Sequence, residues 1–204
     1  MIETLLSFVL ATSVLAISPG PDNIFVLTQS ITNGKKYGLA TVFGLISGCL
    51  VHTTLLAFGV SAIIKESESV YFFLKLFGSC YLFFLAYKLY KSKPLITIRE
   101  NAIKKSTIEL FKQGFIMNVL NPKVTIFFLA FFPGFLFSDS LSKVLQFYVL
   151  GLLFMITSLL IFSVIALLAS SISTFITKNK KTGFYLKWIQ ILVFIGIGIF
   201  ILRH

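Results

Sequence analysis

The sequence predicts an all-α polytopic membrane protein with six transmembrane helices in two inverted three-helix repeats, and three observations carry this prediction. The 204 residues are 57% hydrophobic and only 12% charged, with a mean hydropathy of +0.95, whereas about a quarter of the residues in a soluble domain are charged. Six apolar runs are each long enough to cross a bilayer, which takes about 20 residues. Two of these runs contain a proline break, one in each half of the chain.

The first and fourth runs are longer than a straight span needs, which predicts that helices 1 and 4 are broken at their proline motifs. We expect a single transmembrane domain over 1–204, with repeat 1 over about 1–90, a cytoplasmic loop over about 91–110 and repeat 2 over about 111–204. The runs lie near residues 4–31, 38–64, 69–90, 111–137, 143–172 and 183–203.

The spacing of matching residues relates the two halves. Pro122 lies 103 residues after Pro19, and Gly151 lies 103 residues after Gly48. Three spans per half is an odd number, so the two halves must cross the membrane in opposite directions. The sequence therefore predicts an inverted repeat.

The distribution of charge predicts the orientation. Basic residues in short loops stay on the cytoplasmic side, and most of them follow the first, third and fifth spans, so both termini should be extracytoplasmic. The net charge of +11 then reflects topology and contact with lipid headgroups. Nucleic-acid binding is not expected, because the lysines are dispersed over separate loops. The basic residues on the predicted cytoplasmic side are Lys35, Lys36, Lys88, Lys91, Lys93, Arg99, Lys104, Lys105, Lys112, Lys178, Lys180, Lys181 and Lys187.

The two proline breaks are the candidate binding site. Proline removes a backbone donor and stops a helix, and the groups that it frees must find partners in protein or in a wet cavity. Paired interruptions at corresponding positions of two halves indicate the binding site of a transporter. The candidate substrate-binding residues are Ser18, Pro19, Gly20, Pro21, Asp22 and Asn23 in the first break, and Asn118, Asn121, Pro122 and Lys123 in the second.

Asp22 and Lys123 are the candidate proton-coupling residues. Each directly follows the proline of its break. A lone charge inside the membrane costs at least about 2.5–3.5 kcal/mol. We expect the two side chains to pair across the interface of the repeats. Two roles stay open: a structural ion pair that holds the halves together, or a switch that opens when Asp22 is protonated or when a charged substrate competes.

An amino acid fits the predicted site better than a metal cation does. Helix starts at the breaks offer N–H groups and a positive dipole end to a carboxylate, while Asp22 and unwound carbonyls suit an ammonium group. No cofactor is expected.

Five other polar or small residues are interpreted as structural. Cys49 and Cys80 have neither a disulfide framework nor metal-ligand spacing, and we expect them to be small buried side chains. His52 is expected to be an interhelical hydrogen-bond donor rather than a proton relay. Gly44 and Gly48, four residues apart, predict a close helix contact.

The chain resembles the LysE/RhtB family of amino-acid exporters over most of its length. The likeness rests on two motifs: Ser18-Pro19-Gly20-Pro21-Asp22 with the glycines that follow, and 111–123 continuing through Phe127 to Pro133. It implies a six-span exporter of amino acids or close derivatives in the bacterial inner membrane, driven by proton antiport with alternating access. The implied partners are an amino-acid substrate, protons and membrane lipid, with a homodimer left open.

The same residues disfavour three competing functions. A heavy-metal cation exporter is not favoured, because neither break has a Cys, a His or a paired acidic cluster to bind the metal. A membrane thiol-electron conduit would carry one cysteine at each broken helix, whereas both cysteines lie in the first half. An intramembrane enzyme would need a nucleophile–base pair or an embedded catalytic motif. The sequence therefore favours an exporter over an enzyme.

Overall fold

The computed structural model describes residues 1–18, 20–62, 68–92, 105–178 and 182–203. Pro19 and most of the predicted loop 91–110 lie outside the described residues. Within these ranges the chain forms helices and turns and contains no strand, which confirms the all-α class. The helices are α1 (Ile2–Ile17), α2 (Pro21–Thr32), α3 (Lys35–Leu55), α4 (Glu68–Lys91), α5 (Thr107–Val119), α6 (Pro122–Ile126), α7 (Lys143–Leu167), α8 (Ala169–Lys178) and α9 (Thr182–Arg203).

Two helices continue into tighter or wider turns. α3 runs on through a π-helical turn at Leu56–Val60. α6 is followed by a π-helical turn at Phe127–Phe131 and a 3₁₀ turn at Phe132–Phe135.

In the described ranges, four helices are long and apolar enough to cross a bilayer, and the count reaches six if each of two bent pairs forms one span. The axes of α1 and α2 diverge by 59°, and the second pair, Thr107–Val119 with Pro122–Phe135, bends by 49°. Both bends fall at the predicted proline motifs, so the expected breaks of helices 1 and 4 are confirmed.

Two boundaries differ from the sequence-based expectation. The run predicted as one span over 143–172 is divided, because α7 ends at Leu167 and a separate helix begins at Ala169. The residues that follow this point alternate Ser and Thr with apolar side chains, so α8 is amphipathic and packs against α2. α5 begins at Thr107, inside the predicted loop, because Ser106 and Glu109 form a capping box that starts the helix early.

The packing of the long helices is centred on α3. This helix makes its most extensive contact with α5 and a further one with α7, while α1 also packs on α7 and α4 packs on α9. Glycines permit the close approach of α3 and α5, as the spacing predicted. A Cβ atom built on Gly114 would lie 2.5 Å from the Thr41 carbonyl oxygen, and one on Gly44 would collide with the Phe111 carbonyl.

Six phenylalanines form a buried group that we call the aromatic cluster. Their rings contact one another in stacked and edge-on pairs, with centroids 4.4 Å apart for Phe127 and Phe131 and 4.9 Å apart for Phe8 and Phe132. Such geometries stabilise beyond the area they bury. The cluster joins α1 to the turns that follow α6, and its members are Phe8, Phe127, Phe128, Phe131, Phe132 and Phe135.

The outer faces of the long helices are apolar and exposed, as in Leu10, Phe77, Leu160 and Leu192. In a chain of this hydropathy such faces suit contact with lipid tails rather than water. Cys80 lies on this surface and is exposed, so the expectation that both cysteines are buried was wrong for Cys80. It holds for Cys49, which is buried between helices.

The α3–α5 contact should be sensitive to a single methyl group. We expect Gly44→Ala to lower the free energy of unfolding by about 1–3 kcal/mol, because the new Cβ atom would overlap backbone that cannot rotate away. Thermal unfolding of the purified protein in detergent measures the effect. Gly196→Ala is the matched control, since nothing lies within 4 Å of its built Cβ atom; equal melting temperatures for the two variants would contradict the proposed contact.

Candidate substrate-binding site

The first break is closed by an asparagine side chain. α1 ends at Ile17, and Asn23 Nδ2 donates a hydrogen bond of 2.8 Å to the Ala16 carbonyl oxygen in its last turn. Gly20 is extended, with φ of −156° and ψ of 178°, and Pro21 is the first residue of α2. Proline is favoured at this position because its missing N–H has no helical partner there in any case. The break is therefore built into the local sequence.

Side chains also bond the free backbone groups at the second break, and one of these side chains comes from a neighbouring helix. The Asn121 side chain accepts a hydrogen bond of 3.0 Å from the Lys123 backbone N–H and so caps α6. The Asn118 carbonyl oxygen accepts bonds from the Asn121 N–H at 3.0 Å and from His52 Nε2 at 3.1 Å. Because a carbonyl can only accept, Nε2 of His52 carries the proton. This confirms His52 as an interhelical donor.

The two breaks meet through Asp22 and Asn121. Asn121 Nδ2 lies 3.1 and 3.4 Å from the two carboxylate oxygens of Asp22, so one amide donates to an acid in the other half of the chain. Hydrogen bonds to a charged group are among the stronger ones in proteins.

Lys123 lies beside this contact. Its charge interacts favourably with Asp22, and a Cβ atom built on Gly20 would lie 3.4 Å from its Nζ atom. The ammonium also sits 5.0 Å from the centroid of the Phe194 ring. Among the hydrogen bonds of the described residues none joins Lys123 to Asp22, so the expected direct pair is not seen. The carboxylate is bonded by Asn121 Nδ2 instead, and the amide oxygen of Asn121 accepts from the backbone N–H of Lys123. The reason is local, since capping α6 turns the Asn121 side chain toward the first break.

An inner cavity of about 40 Å³ lies between the breaks and α7. A space of this size accommodates water but not an amino acid, since a cavity of about 150 Å³ is needed to hold benzene. The polar or charged lining side chains are Asp22, Asn23, Cys49, Asn118, Lys123 and Ser158, and the apolar ones include Leu15, Ile46, Phe154 and Phe162.

A larger outer cavity of about 400 Å³ shares Lys123 as a lining residue. Pro21, Asn121 and Pro122 line it at the breaks, while Lys88 and Ser92 line it near the end of α4. Lys123 therefore borders both the inner cavity and a wider one that leads toward the predicted cytoplasmic ends of the helices.

The structure brings most of the predicted site residues together. Asp22, Asn23, Asn118 and Lys123 line the inner cavity. Pro21, Asn121 and Pro122 line the outer one, and Gly20 lies against the Lys123 side chain. Ser18 is buried next to the first break, and its hydroxyl has no hydrogen-bond partner among the described residues. Pro19 is outside the described residues.

Two polar residues of the inner cavity were missed by sequence reasoning. Cys49 was interpreted as packing only, although its thiol lies 3.7 Å from Asn118 Oδ1 and lines the cavity. Ser158 was not singled out at all. A usable signal existed, because Ser158 follows Gly151 by seven residues and therefore lies on the same face of α7. That face packs inward.

The site offers one carboxylate and one ammonium group within a largely apolar cavity. Within the part of the chain that the structure describes, no group of three or more His, Cys, Asp or Glu residues could hold a metal ion.

Comparison with known proteins decides the class. Residues 13–204 match the LysE type translocator family. The chain belongs to the LysE type translocator family. It is a membrane transporter and not an enzyme, which confirms the resemblance seen in the sequence.

Individual relatives agree with this assignment. The homoserine/homoserine lactone efflux protein of Salmonella typhimurium is 27% identical over 86% of this chain and 84% of its own, and the protein of that name from Salmonella typhi matches equally well. An uncharacterised membrane protein of Vibrio cholerae is 25% identical over 74% of this chain and 73% of its own. No solved structure matches the chain.

Exchanging the acid and the amide tests the contact between the breaks. We expect Asn121→Asp to cost about 1.5–3 kcal/mol of stability, because it removes a donor to a charged group and sets a second carboxylate beside Asp22. The double variant Asp22→Asn/Asn121→Asp restores one amide facing one acid and should recover most of the loss. Thermal unfolding in detergent measures the wild-type protein, both single variants and the double variant.

Asn33→Asp is the control, because it makes the same change at an amide that donates to Gln29 at the far end of α2. Asp22→Asn is not expected to rescue this variant. A double variant as unstable as the sum of its single changes would contradict the contact.

Proposed function

We propose that this translocator exports amino acids or close derivatives by secondary-active proton antiport, with alternating access around the two breaks. The observation that carries the proposal is that Asp22 and Lys123, from opposite halves of the chain, line one inner cavity. An amino-acid zwitterion presents one ammonium and one carboxylate group, so it matches this pair of charges. The substrate ammonium would bind Asp22, and its carboxylate would bind Lys123 near the N-terminal end of α2.

Asp22 is also the proposed site of proton coupling. Its carboxylate accepts a hydrogen bond from Asn121 and is attracted by Lys123. A proton that neutralises Asp22 would release the substrate ammonium, because a neutral carboxyl no longer attracts it. The proton and the substrate ammonium would compete for the Asp22 carboxylate, so binding of one would be coupled to release of the other.

The packing of the helices supports an inverted repeat of six spans. α3 of the first half packs on α5 of the second, and the corresponding helix of the second half, α7, packs on α1 of the first. α4 and α9, the last helices of the halves, pack on each other. Such reciprocal contacts are expected of two units related by a pseudo-twofold axis in the membrane plane.

Two features support alternating access. The outer cavity leads from Lys123 toward Lys88 and Ser92, which we place on the cytoplasmic side. In the other direction the inner cavity meets Phe127, a member of the aromatic cluster, whose rings are buried between α1 and the turns after α6. We interpret this arrangement as a conformation closed to the outside, in which the inner cavity must widen before a substrate enters.

The efflux relatives suggest the first substrates to test. Homoserine and homoserine lactone are named for the Salmonella proteins, and homoserine is a zwitterion of the kind that the charges accommodate. We propose homoserine as the first candidate, exported across the bacterial inner membrane.

Asp22→Asn should abolish proton-coupled export. The amide keeps an acceptor for Asn121, so folding and membrane insertion should be retained, but it cannot be titrated. Efflux from homoserine-loaded cells, measured with and without a protonophore, tests this. Glu3→Gln is the control, since it makes the same change at an exposed carboxylate at the start of α1. Unchanged, protonophore-sensitive efflux by Asp22→Asn defeats the coupling role.

Reporter fusions test the orientation. We expect alkaline phosphatase fused after Arg203 to be active and green fluorescent protein fused at the same place to be dark, because the C-terminus is placed outside the cytoplasm. The reverse pattern is expected for fusions after Lys91, at the end of α4. Three predicted spans separate the two fusion points, so finding both in the same compartment contradicts the six-span topology.

A further inference from the structure

The hydroxyl of Ser158 stands out among the polar groups of the inner cavity. Ser158 is 2% exposed, it lines the cavity from α7, and its Oγ atom has no hydrogen-bond partner among the described residues. Burying a hydroxyl without a bond is unfavourable, and nearly all buried polar groups in proteins have partners. A group of this kind facing a cavity is suited to a ligand.

Other helical hydroxyls in the same chain do have a hydrogen-bond partner, so a position on a helix does not by itself leave a hydroxyl unbonded. Ser13, Ser30 and Thr53 each donate a bond of 2.8 Å to the carbonyl oxygen four residues earlier. This local bond is the usual way in which a helical serine is satisfied in a membrane. Ser158 makes no such bond to Phe154, so its hydroxyl remains available to the cavity.

The charges of the cavity restrict the rest of the substrate. Among its described lining residues, Asp22 is the acid and Lys123 is the base. An amino-acid backbone uses both, so a cationic side chain would be left without a counter-charge in an apolar site, which is costly. The substrate side chain is therefore expected to be neutral.

We propose that Ser158 is a specificity-determining residue that hydrogen-bonds an oxygen on the substrate side chain. This inference rests on the proposed function, because it assumes that the α-ammonium and α-carboxylate occupy Asp22 and Lys123. The substrate class is then a neutral amino acid with a hydroxyl or carbonyl oxygen on its side chain. The apolar wall formed by Ile46, Phe154 and Phe162 surrounds its methylene groups.

A pair of matched substrates tests the role of Ser158. Homoserine and norvaline differ by a hydroxyl in place of a methyl group, so their ratio of export rates from loaded vesicles measures recognition of the oxygen. We expect the wild-type protein to prefer homoserine at least tenfold, since a site that bonds a hydroxyl rejects the analogue that lacks it, and to export lysine poorly. Ser158→Ala should bring the homoserine-to-norvaline ratio close to one while norvaline export is maintained.

Three controls separate this role from a structural one. Ser158→Thr keeps the hydroxyl and should keep the preference. Ser163→Ala makes the same change on the same helix at a residue outside the inner cavity, and should leave the ratio unchanged. The melting temperature of Ser158→Ala should not fall, because the hydroxyl that it removes has no partner within the protein.

The possible failures are distinguishable. Amino-acid export with the wild-type preference intact in Ser158→Ala overturns the role of Ser158 and leaves the proposed function standing. Export of lysine as fast as homoserine overturns the neutral substrate class. No export of any amino acid by the wild-type protein overturns the proposed function and this inference with it.

Discussion

The need to satisfy backbone groups where two apolar helices break is the constraint on which the rest of the structure depends. Hydrocarbon offers no hydrogen bonds, so each broken end needs a partner within the protein. Asn23 reaches back to the Ala16 carbonyl, and His52 reaches from α3 to the Asn118 carbonyl. The second of these bonds requires α3 to pack tightly on α5, which explains why glycines occupy that contact.

Asn121 both caps a broken helix end and links the two halves of the chain. Its oxygen caps α6 and its nitrogen bonds Asp22, so both ends of one amide are used and its orientation is determined. A change in the charge of Asp22 would therefore alter its hydrogen bond to Asn121 at the start of α6. Lys123 follows Asn121 by two residues. This arrangement gives a physical route by which protonation or substrate binding at the first break could move the second.

Much of the fold could be predicted from the sequence, and the errors have physical causes. Six apolar runs and two proline motifs predicted the long helices and the two bends. The end of α7 at Leu167 was missed because hydropathy stays high beyond it, whereas the change to an amphipathic pattern in α8 is weak over 10 residues. The early start of α5 was missed because polar residues suggested a loop, although Ser106 and Glu109 form a capping box.

The sequence by itself determined the membrane class, the places where the helices break and the charged residues at those breaks, because hydropathy, proline and charge act through local chemistry. Only the tertiary structure decided which side chains meet. It placed Asn121 rather than Lys123 in direct contact with Asp22, and it brought Cys49 and Ser158 from separate helices to the inner cavity. These contacts join residues as far as 99 positions apart, and the packing angles and rotamers that set such distances do not follow from any local pattern.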